Sequence, residues 1–479
     1  MKSVRMSSVF AVLALGLAGC LPEERIVWAP DGSAALVLSA DKLFSSDPAG
    51  KLTFVAQDIS DANWMSDSKR LVVVRKVTLG SWKDAAAVLP DARQAQIAAL
   101  SDKVRQELLA FEGDLKQYKP DIPAEHLGDL ALILLHLRDH AGQDLPKKLG
   151  AEWPEIKEAK ADLYHLAICD AAPSAPMGKT LVMSLACSWP QAAPNGRAIC
   201  WWGYPIDRAM AENALVVTPV DGGDSRLVAE RTSAWSAWSP DGRHLAYTAA
   251  GLPKGRDGEG DALRLGTVSR STIFDDGQAM PPVGQPFPRE DLAGVLFHEE
   301  AKVAYLPDGR ILFSSLAMSL PSTREDMPQV ASLFMLTPDQ PTVVRALSQQ
   351  TQAQLTDPLR HFSVSRDGKR VAVYGRTGRV SVVWLATGNV QTLVESQGKD
   401  TLMKAMPAWR SDTELTLIAP AGSKLASAGA DEVVMVTLTD GGVGHASCLS
   451  KDWPEDVRRG LLAQPVATTA TAAATQPAP

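Results

Sequence analysis

One short pattern recurs seven times along this chain of 479 residues and leaves it few folds to choose from. It reads WAPDGSAALVL from Trp28, WMSDSKRLVVV from Trp64, AAPNGRAICWW from Ala192, WSPDGRHLAYT from Trp238, YLPDGRILFSS from Tyr305, VSRDGKRVAVY from Val364 and WRSDTELTLIA from Trp409. Three residues after the first position stands Asp31, Asp67, Asn195, Asp241, Asp308, Asp367 or Asp412, and in five copies the first residue is aromatic. In the fullest copy Ser239-Pro240-Asp241-Gly242 fits a type I turn, with Pro fixing φ at the second position and Gly at the fourth. Gly242 takes the left-handed conformation at little steric cost, which predicts a hairpin with a bulge. Leu245 and Tyr247 then alternate with shorter or polar neighbours, the period of a strand. Each acid is therefore read as a structural turn residue and not as a catalytic group.

The segments after the copies repeat as well. ALVVTPVDGG from Ala214, SLFMLTPD from Ser332, VSVVWLATG from Val380 and VVMVTLTDGG from Val433 each read as a strand and turn, and SRLVA from Ser225 and QTLV from Gln391 as a fourth strand. Four antiparallel strands per repeat of ~40–45 residues is the signature of a propeller blade. The expected fold is all-β, a β-propeller of about seven four-stranded blades around a channel. The turn residues lie 36, 128, 46, 67, 59 and 45 positions apart. A blade hidden in the longest gap makes eight, and loss of one of the weaker copies at Trp64 or Trp409, which lack the Gly, leaves six.

Repeats of the form W-S-P-D-G-[KR]-x-[IL]-[AV]-[FY] resemble the TolB-like, or WD40-like, propeller repeat. Trp238–Tyr247 matches at nearly every position, and the resemblance runs over most of residues 24–452 apart from one insertion. It implies a fold and is poor in functional information.

The longest gap has a different period. Within about 84–158, inside the second repeat, Ile97, Leu100, Val104, Leu108, Phe111, Leu115 and Tyr118 fall three and four apart, one stripe on one helix. After a break at Asp121-Ile122-Pro123, Leu127, Leu130, Leu134 and Leu137 mark a second helix, with Ile133 and Leu135 widening its apolar face. A third short helix follows Pro154, with Ile156 and Ala159 inward. The stripes are expected to pack on one another and on the propeller; placed over a propeller face, the insertion makes a lid or docking arm.

The N-terminus carries Lys2 and Arg5, an apolar run from Val9 to Leu17, and then small residues, the pattern of a secretory signal over residues 1–19. Leu17-Ala18-Gly19-Cys20 resembles the lipobox of bacterial lipoproteins. That resemblance implies that Cys20 becomes the first residue, carries acyl chains such as palmitate, and inserts them in the bilayer, where each buried CH₂ contributes ~0.8 kcal/mol. Leu21 stands where an Asp often signals retention in the inner membrane, so the implied address is the outer membrane. The domain proper is then 20–463, and residues 464–479, rich in Ala, Thr and Pro, form a disordered tail.

At 45% apolar and 22% charged residues the chain is that of a folded globular protein, and its net charge of −7 gives no nucleic-acid footprint. It has no G-x-S-x-G elbow, phosphate loop or dinucleotide fingerprint, and the turn acids lack the sialidase spacing. No catalytic residue, cofactor or metal is therefore assigned. His136 and His140, one helical turn apart beside Asp139, read as a solvated face, and His298-Glu299-Glu300 as a loop. An exported protein can oxidise Cys169, Cys187, Cys200 and Cys448; a Cys187–Cys200 disulfide is one expectation and buried free thiols the other. The function expected is a membrane-anchored scaffold that docks a protein or peptide in the cell envelope. The alternative, an extracellular glycan-binding or glycan-cleaving propeller, asks for His and acidic residues gathered at the channel.

Overall fold

The computed structural model describes residues 24–462 apart from 116–117, 173–177, 210–213, 251–264, 277–278, 297–300, 316–330, 356, 358, 397–404 and 427–428. The signal segment with Cys20, the His298-Glu299-Glu300 triplet and the 464–479 tail lie outside the described residues.

Every sheet is an antiparallel meander in chain order. The first holds β1 (Ile26–Trp28), β2 (Ala35–Ser39), β3 (Lys42–Ser46) and β4 (Leu52–Gln57). The second has seven strands: β5 (Ile59–Trp64), β6 (Arg70–Leu79), β7 (Ala161–Asp170), β8 (Thr180–Ala192), β9 (Ala198–Pro205), β10 (Ala214–Pro219) and β11 (Arg226–Glu230). Two four-stranded sheets come next: β12 (Thr232–Trp238) to β15 (Arg289–Leu296) by way of β13 (His244–Ala250) and β14 (Leu265–Thr272); and β16 (Val303–Tyr305) to β19 (Gln340–Arg345) by way of β17 (Ile311–Ser315) and β18 (Ser332–Thr337). The last two are β20 (Leu359–Val364), β21 (Arg370–Gly375), β22 (Val380–Trp384) and β23 (Val390–Val394), then β24 (Ala408–Trp409), β25 (Glu414–Ala419), β26 (Glu432–Thr439) and β27 (Gly442–Cys448). First strands of neighbouring sheets touch, β1 with β5, β12 with β16, β20 with β24, and β24 back to β1. Meanders arranged in a ring with their first strands innermost are a β-propeller.

The seven-stranded sheet arises because β8 serves two partners. Thr180–Ser184 pairs with β7 and Ser184–Ala192 with β9, so one strand ends one meander and begins the next. The two halves fold against each other over a cluster that includes Val72, Leu166, Ile199 and Trp201.

Sheets stack face to face, so a second strand is covered on both sides. Leu245 and Tyr247 of β13 pack toward Trp238 and Val217, while Ala246 on the other face packs toward Ile311 and Phe313. The expected alternation of apolar and polar residues is thus one of large and small buried residues. Each fully buried Leu or Phe at these interfaces stabilises the ring by ~1.5–3 kcal/mol.

Between the paired strands β6 and β7 come α1 (Trp82–Ala86), α2 (Asp91–Ala110), a 3₁₀ turn (Ala124–Asp129), α3 (Leu130–Asp139), α4 (Asp144–Leu149) and α5 (Trp153–Lys157). Because β5 and β6 are antiparallel, they leave from the face where first strands begin, opposite the rim of Asp turns. The expected long stripe is cut short. Phe111 caps α2 in extended conformation, so Leu115 and Tyr118 lie beyond the helix. The wide apolar face of α3 is covered by its neighbours, with Leu132, Ile133, Leu135 and Leu137 all buried in one cluster that reaches Tyr204 and Ile206 at the end of β9. Arg93 and Asp129, each almost fully buried, form an ion pair inside this module, and Arg93 Nε also donates to Ile206 O at 3.4 Å.

The ring closes without an exchanged strand. A C-terminal helix, α7 (Glu455–Leu462), lies on the first sheet instead. Arg25 Nη1 donates to Leu461 O at 2.8 Å, Ser39 Oγ to Val457 O at 2.8 Å and Trp453 Nε1 to Gly50 O at 2.7 Å. Ile26, Trp28, Val37, Val433, Leu449, Trp453, Val457 and Leu461 bury one another there.

Candidate binding site at the propeller axis

The seven turn residues do not form a site. Each stands between the first and second strand of its own hairpin, around one rim. Asp31, Asp67, Asn195, Asp241, Asp308 and Asp367 each accept from the backbone N–H two residues on, at 2.9–3.1 Å. The Gly after the acid takes φ of +71° at Gly242, and Ser68 takes +56° in the copy that lacks Gly. In the last copy Ser411 Oγ accepts from Thr413 N at 3.3 Å and Glu414 N at 3.1 Å, doing the turn's work beside Asp412. At Asp241, burial acts to raise the pKa, but hydrogen bonds from Ser239 and the Arg243 N–H outweigh it and hold the carboxyl below its ordinary range. Hydrogen bonds lower the carboxyls of Asp31, Asp67, Asp308 and Asp367 in the same way, so these acids are ionised braces.

The tryptophan that opens four of the copies is a tie between blades. Trp64 Nε1 donates to Val27 O at 2.9 Å, Trp238 to Gln191 O at 3.2 Å and Trp409 to Ser363 O at 3.1 Å, in each case a first strand of the preceding meander. Trp28 Nε1 reaches Thr416 Oγ1 at 2.9 Å and carries the same tie across the seam.

Further tryptophans, outside the repeat position, meet on the axis. Trp189 sits in the bulge of β8 at φ +49°, a left-handed conformation that a bulky residue adopts only where its surroundings hold it. Its N–H donates to Asp61 Oδ2 at 2.7 Å. Its ring lies 5.4 Å from Trp202 and 5.4 Å from Trp235. Trp235 in turn meets His361 at 5.0 Å, and the Lys302 ammonium stands 4.7 Å from the Trp235 ring. Lys302 Nζ is paired with Glu24 Oε1 at 3.4 Å. Trp235 and His361 are fully buried, while Trp189 and Trp202 keep partial exposure. Among the described residues the Trp235 Nε1 and both His361 ring nitrogens have no hydrogen-bond partner.

Burial, and then the charges of Lys302 and Arg360, hold the His361 pKa well below the usual histidine range, so the ring is neutral at pH 7. Burial likewise lowers Lys302, against the pull of Glu24. A buried neutral His sets the sign of the acid response. Below about pH 6.5 the unfolded chain binds a proton that the native ring refuses, so stability falls as pH falls. The loss grows by up to ~1.4 kcal/mol per pH unit. Burial lowers His136, His165 and His244 too, so they add the same sign. Urea unfolding between pH 7 and 5 should therefore show a flatter slope for His361→Leu; equal slopes in both proteins would contradict the assignment.

The cluster is aromatic and cationic, with two carboxylates beside it. Its acids are engaged, Glu24 by Lys302 and Asp61 by the Trp189 N–H. The thiols nearby are inert: burial pushes Cys200 up to about 12 and Cys187 well above its ordinary value. The expected Cys187–Cys200 bridge is not made. Both are free, in register with Gly203 and Gln191 respectively, and they pack in different inter-sheet clusters, so their side chains do not face each other. The pair read as a solvated face is split: His140 is exposed with Asp139, while His136 is not. His136 is buried with its ring stacked on His140 at 4.0 Å and met edge-on by Trp82 at 4.7 Å, and no metal-holding group of His, Cys, Asp and Glu occurs among the described residues. The signal that could have pointed to the axis is the set of Trp outside the repeat position, Trp189, Trp202 and Trp235 among them.

Strand order and the closed ring thus define a β-propeller with an aromatic axial cluster. No protein-family model matches the chain, and no curated protein matches it. Among solved structures it is similar to a puromycin-hydrolyzing peptidase of Mycobacterium tuberculosis, at 16% identity and TM-score 0.39, over 60% of this chain and 43% of that one. It is also similar to a putative TolB from Agrobacterium tumefaciens, at 20% identity and TM-score 0.33, over 53% of this chain and 82% of that one. A third is the β-propeller domain of the Trilobed protease from Pyrococcus furiosus, which has an open velcro topology, at 9% identity and TM-score 0.42, over 87% and 93% of the two chains. The chain thus spans less than half the length of the peptidase. At such scores the propeller assignment rests on strand order and register.

Proposed function

We propose that this protein is a seven-bladed propeller, held at the outer membrane by acylated Cys20, whose axis docks a protein or peptide of the bacterial cell envelope. The count follows from assigning the two ends of β8 to two blades, the first of which carries the helical module between β6 and β7. The observation that carries docking is Trp189. A strained, partly exposed indole backed by Trp202 and Trp235 is the kind of rigid aromatic anchor on which binding energy concentrates.

The anchor would also set an orientation. Glu24 stands four positions after Cys20, an extended reach of roughly 14 Å at most. Glu24 meets Lys302 just before β16, on the face that also bears the helices. That face would lie toward the bilayer and the Asp-turn rim away from it.

The test is capture from solubilised envelope by the full chain, compared with a Trp189→Ala/Trp202→Ala variant. A partner retained by the parent should be lost about tenfold or more in the variant. Palmitate incorporation should vanish in Cys20→Ser. Equal capture by both chains refutes axial docking, and labelling that survives in Cys20→Ser refutes the anchor.

A further inference from the structure

Away from the axis, a polar cavity of about 410 Å³ opens between the last two sheets. Its walls are α6 (Gln349–Gln354), the turn from β22 into β23, and the turn from β26 into β27. Four primary amides converge on it from these separate segments: Gln350, Gln354, Asn389 and Gln391. Each amide carries an acceptor oxygen and two N–H donors, one of those of Gln391 being taken by Thr392 O at 3.2 Å. Among the described residues the only ionisable one in the lining is Asp440, whose exposed carboxylate meets Arg370 Nη2 at 3.3 Å. Half-buried Trp384 is part of the lining but packs chiefly against the core, and its Nε1 is buried without a hydrogen-bond partner among the described residues.

We infer that this groove is a binding site for a neutral oligosaccharide. A sugar hydroxyl both donates and accepts, as the side-chain amides do, so amides from several segments match an array of hydroxyls better than any single charge would. A carboxylate accepts from two neighbouring hydroxyls at once, which suits Asp440. The volume falls in the range of small-ligand sites of ~300–1,000 Å³. An acidic glycan or a phosphate would find a carboxylate and, among the described residues, no cation in the lining. A peptide side chain would find almost no apolar pocket. The site depends on none of the axial residues, so it stands or falls apart from the docking proposal.

The experiment is ligand-observed NMR and calorimetry on the full chain with short neutral gluco- and N-acetylglucosamine oligosaccharides, oligogalacturonate, and a polar peptide. Gln350 and Asn389 are exposed or half-buried surface residues, so the Gln350→Ala/Asn389→Ala variant should melt with the parent. The expected result is binding of a neutral oligosaccharide that weakens about tenfold or more in the variant, with oligogalacturonate at least about tenfold weaker in the parent. No neutral binding up to about 10 mM overturns the inference. So does neutral binding of equal strength in the variant, or preference for the peptide or the acidic sugar.

Discussion

Replacing Trp453 by Ala is expected to open the ring. The indole is almost fully buried, packs with Leu449, Val457 and Leu461, and donates to Gly50 O across the seam. Truncating a buried Trp costs about 3–5 kcal/mol, from lost burial and the cavity left behind. Gly50 permits no compensating shift. A Cβ there would stand 2.3 Å from Leu449 O, so the two backbones are already in contact. Hydrogen exchange is the measurement. Amides of the first and last sheets should lose protection before those of β12–β15, because the seam has only side-chain ties and α7 to hold it. Uniform loss around the ring would mean that closure is carried elsewhere.

The second large effect belongs to Asp129. Its carboxylate pairs with Arg93 in the interior of the helical module and also meets His126 Nδ1 at 2.8 Å. Asp129→Ala leaves a guanidinium that is 3% exposed without its counter-charge, which costs about 3–5 kcal/mol. Replacing both partners with apolar residues removes the uncompensated charge. Arg93→Met/Asp129→Leu should therefore be more stable than the single variant. Limited proteolysis should cut first within 82–157 in Asp129→Ala, with the propeller strands still protected. A double variant weaker than the single would show that the hydrogen bonds from Arg93 to Ile206 and His126 to Asp129 matter more than the charges.

Legibility in the sequence tracks how local each cause is. The Asp turns could be read because four adjacent residues determine them, and Asp241 with Gly242 behaves as its neighbours require. The period of β13 could be read as a strand, but its second face could not, since Ala246 is buried by Ile311 and Phe313, more than sixty residues on. The end of α2 was overrun for a related reason. Leu115 and Tyr118 keep helical spacing, and only the extended Phe111 breaks it. The C-terminal helix that closes the ring left little trace, because among the described side chains of α7 only Val457 and Leu461 are buried apolar ones. The axial cluster was least legible. Trp189, Trp235, Lys302 and His361 come from separate segments and meet only when the ring closes.

The shared strand β8 bears on how such a ring can change in length. Where sheets are joined by a connector, as at Arg231 between β11 and β12, a whole four-stranded unit can be duplicated or excised and the ends rejoined. No such seam exists within Thr180–Ala192. Its first half has β7 as neighbour and its second half β9, in one unbroken backbone. A cut there removes the edge of one unit together with the core of the next. The stretch from β5 to β11 should therefore be inherited, lost or transplanted as a single double-length module, helices included.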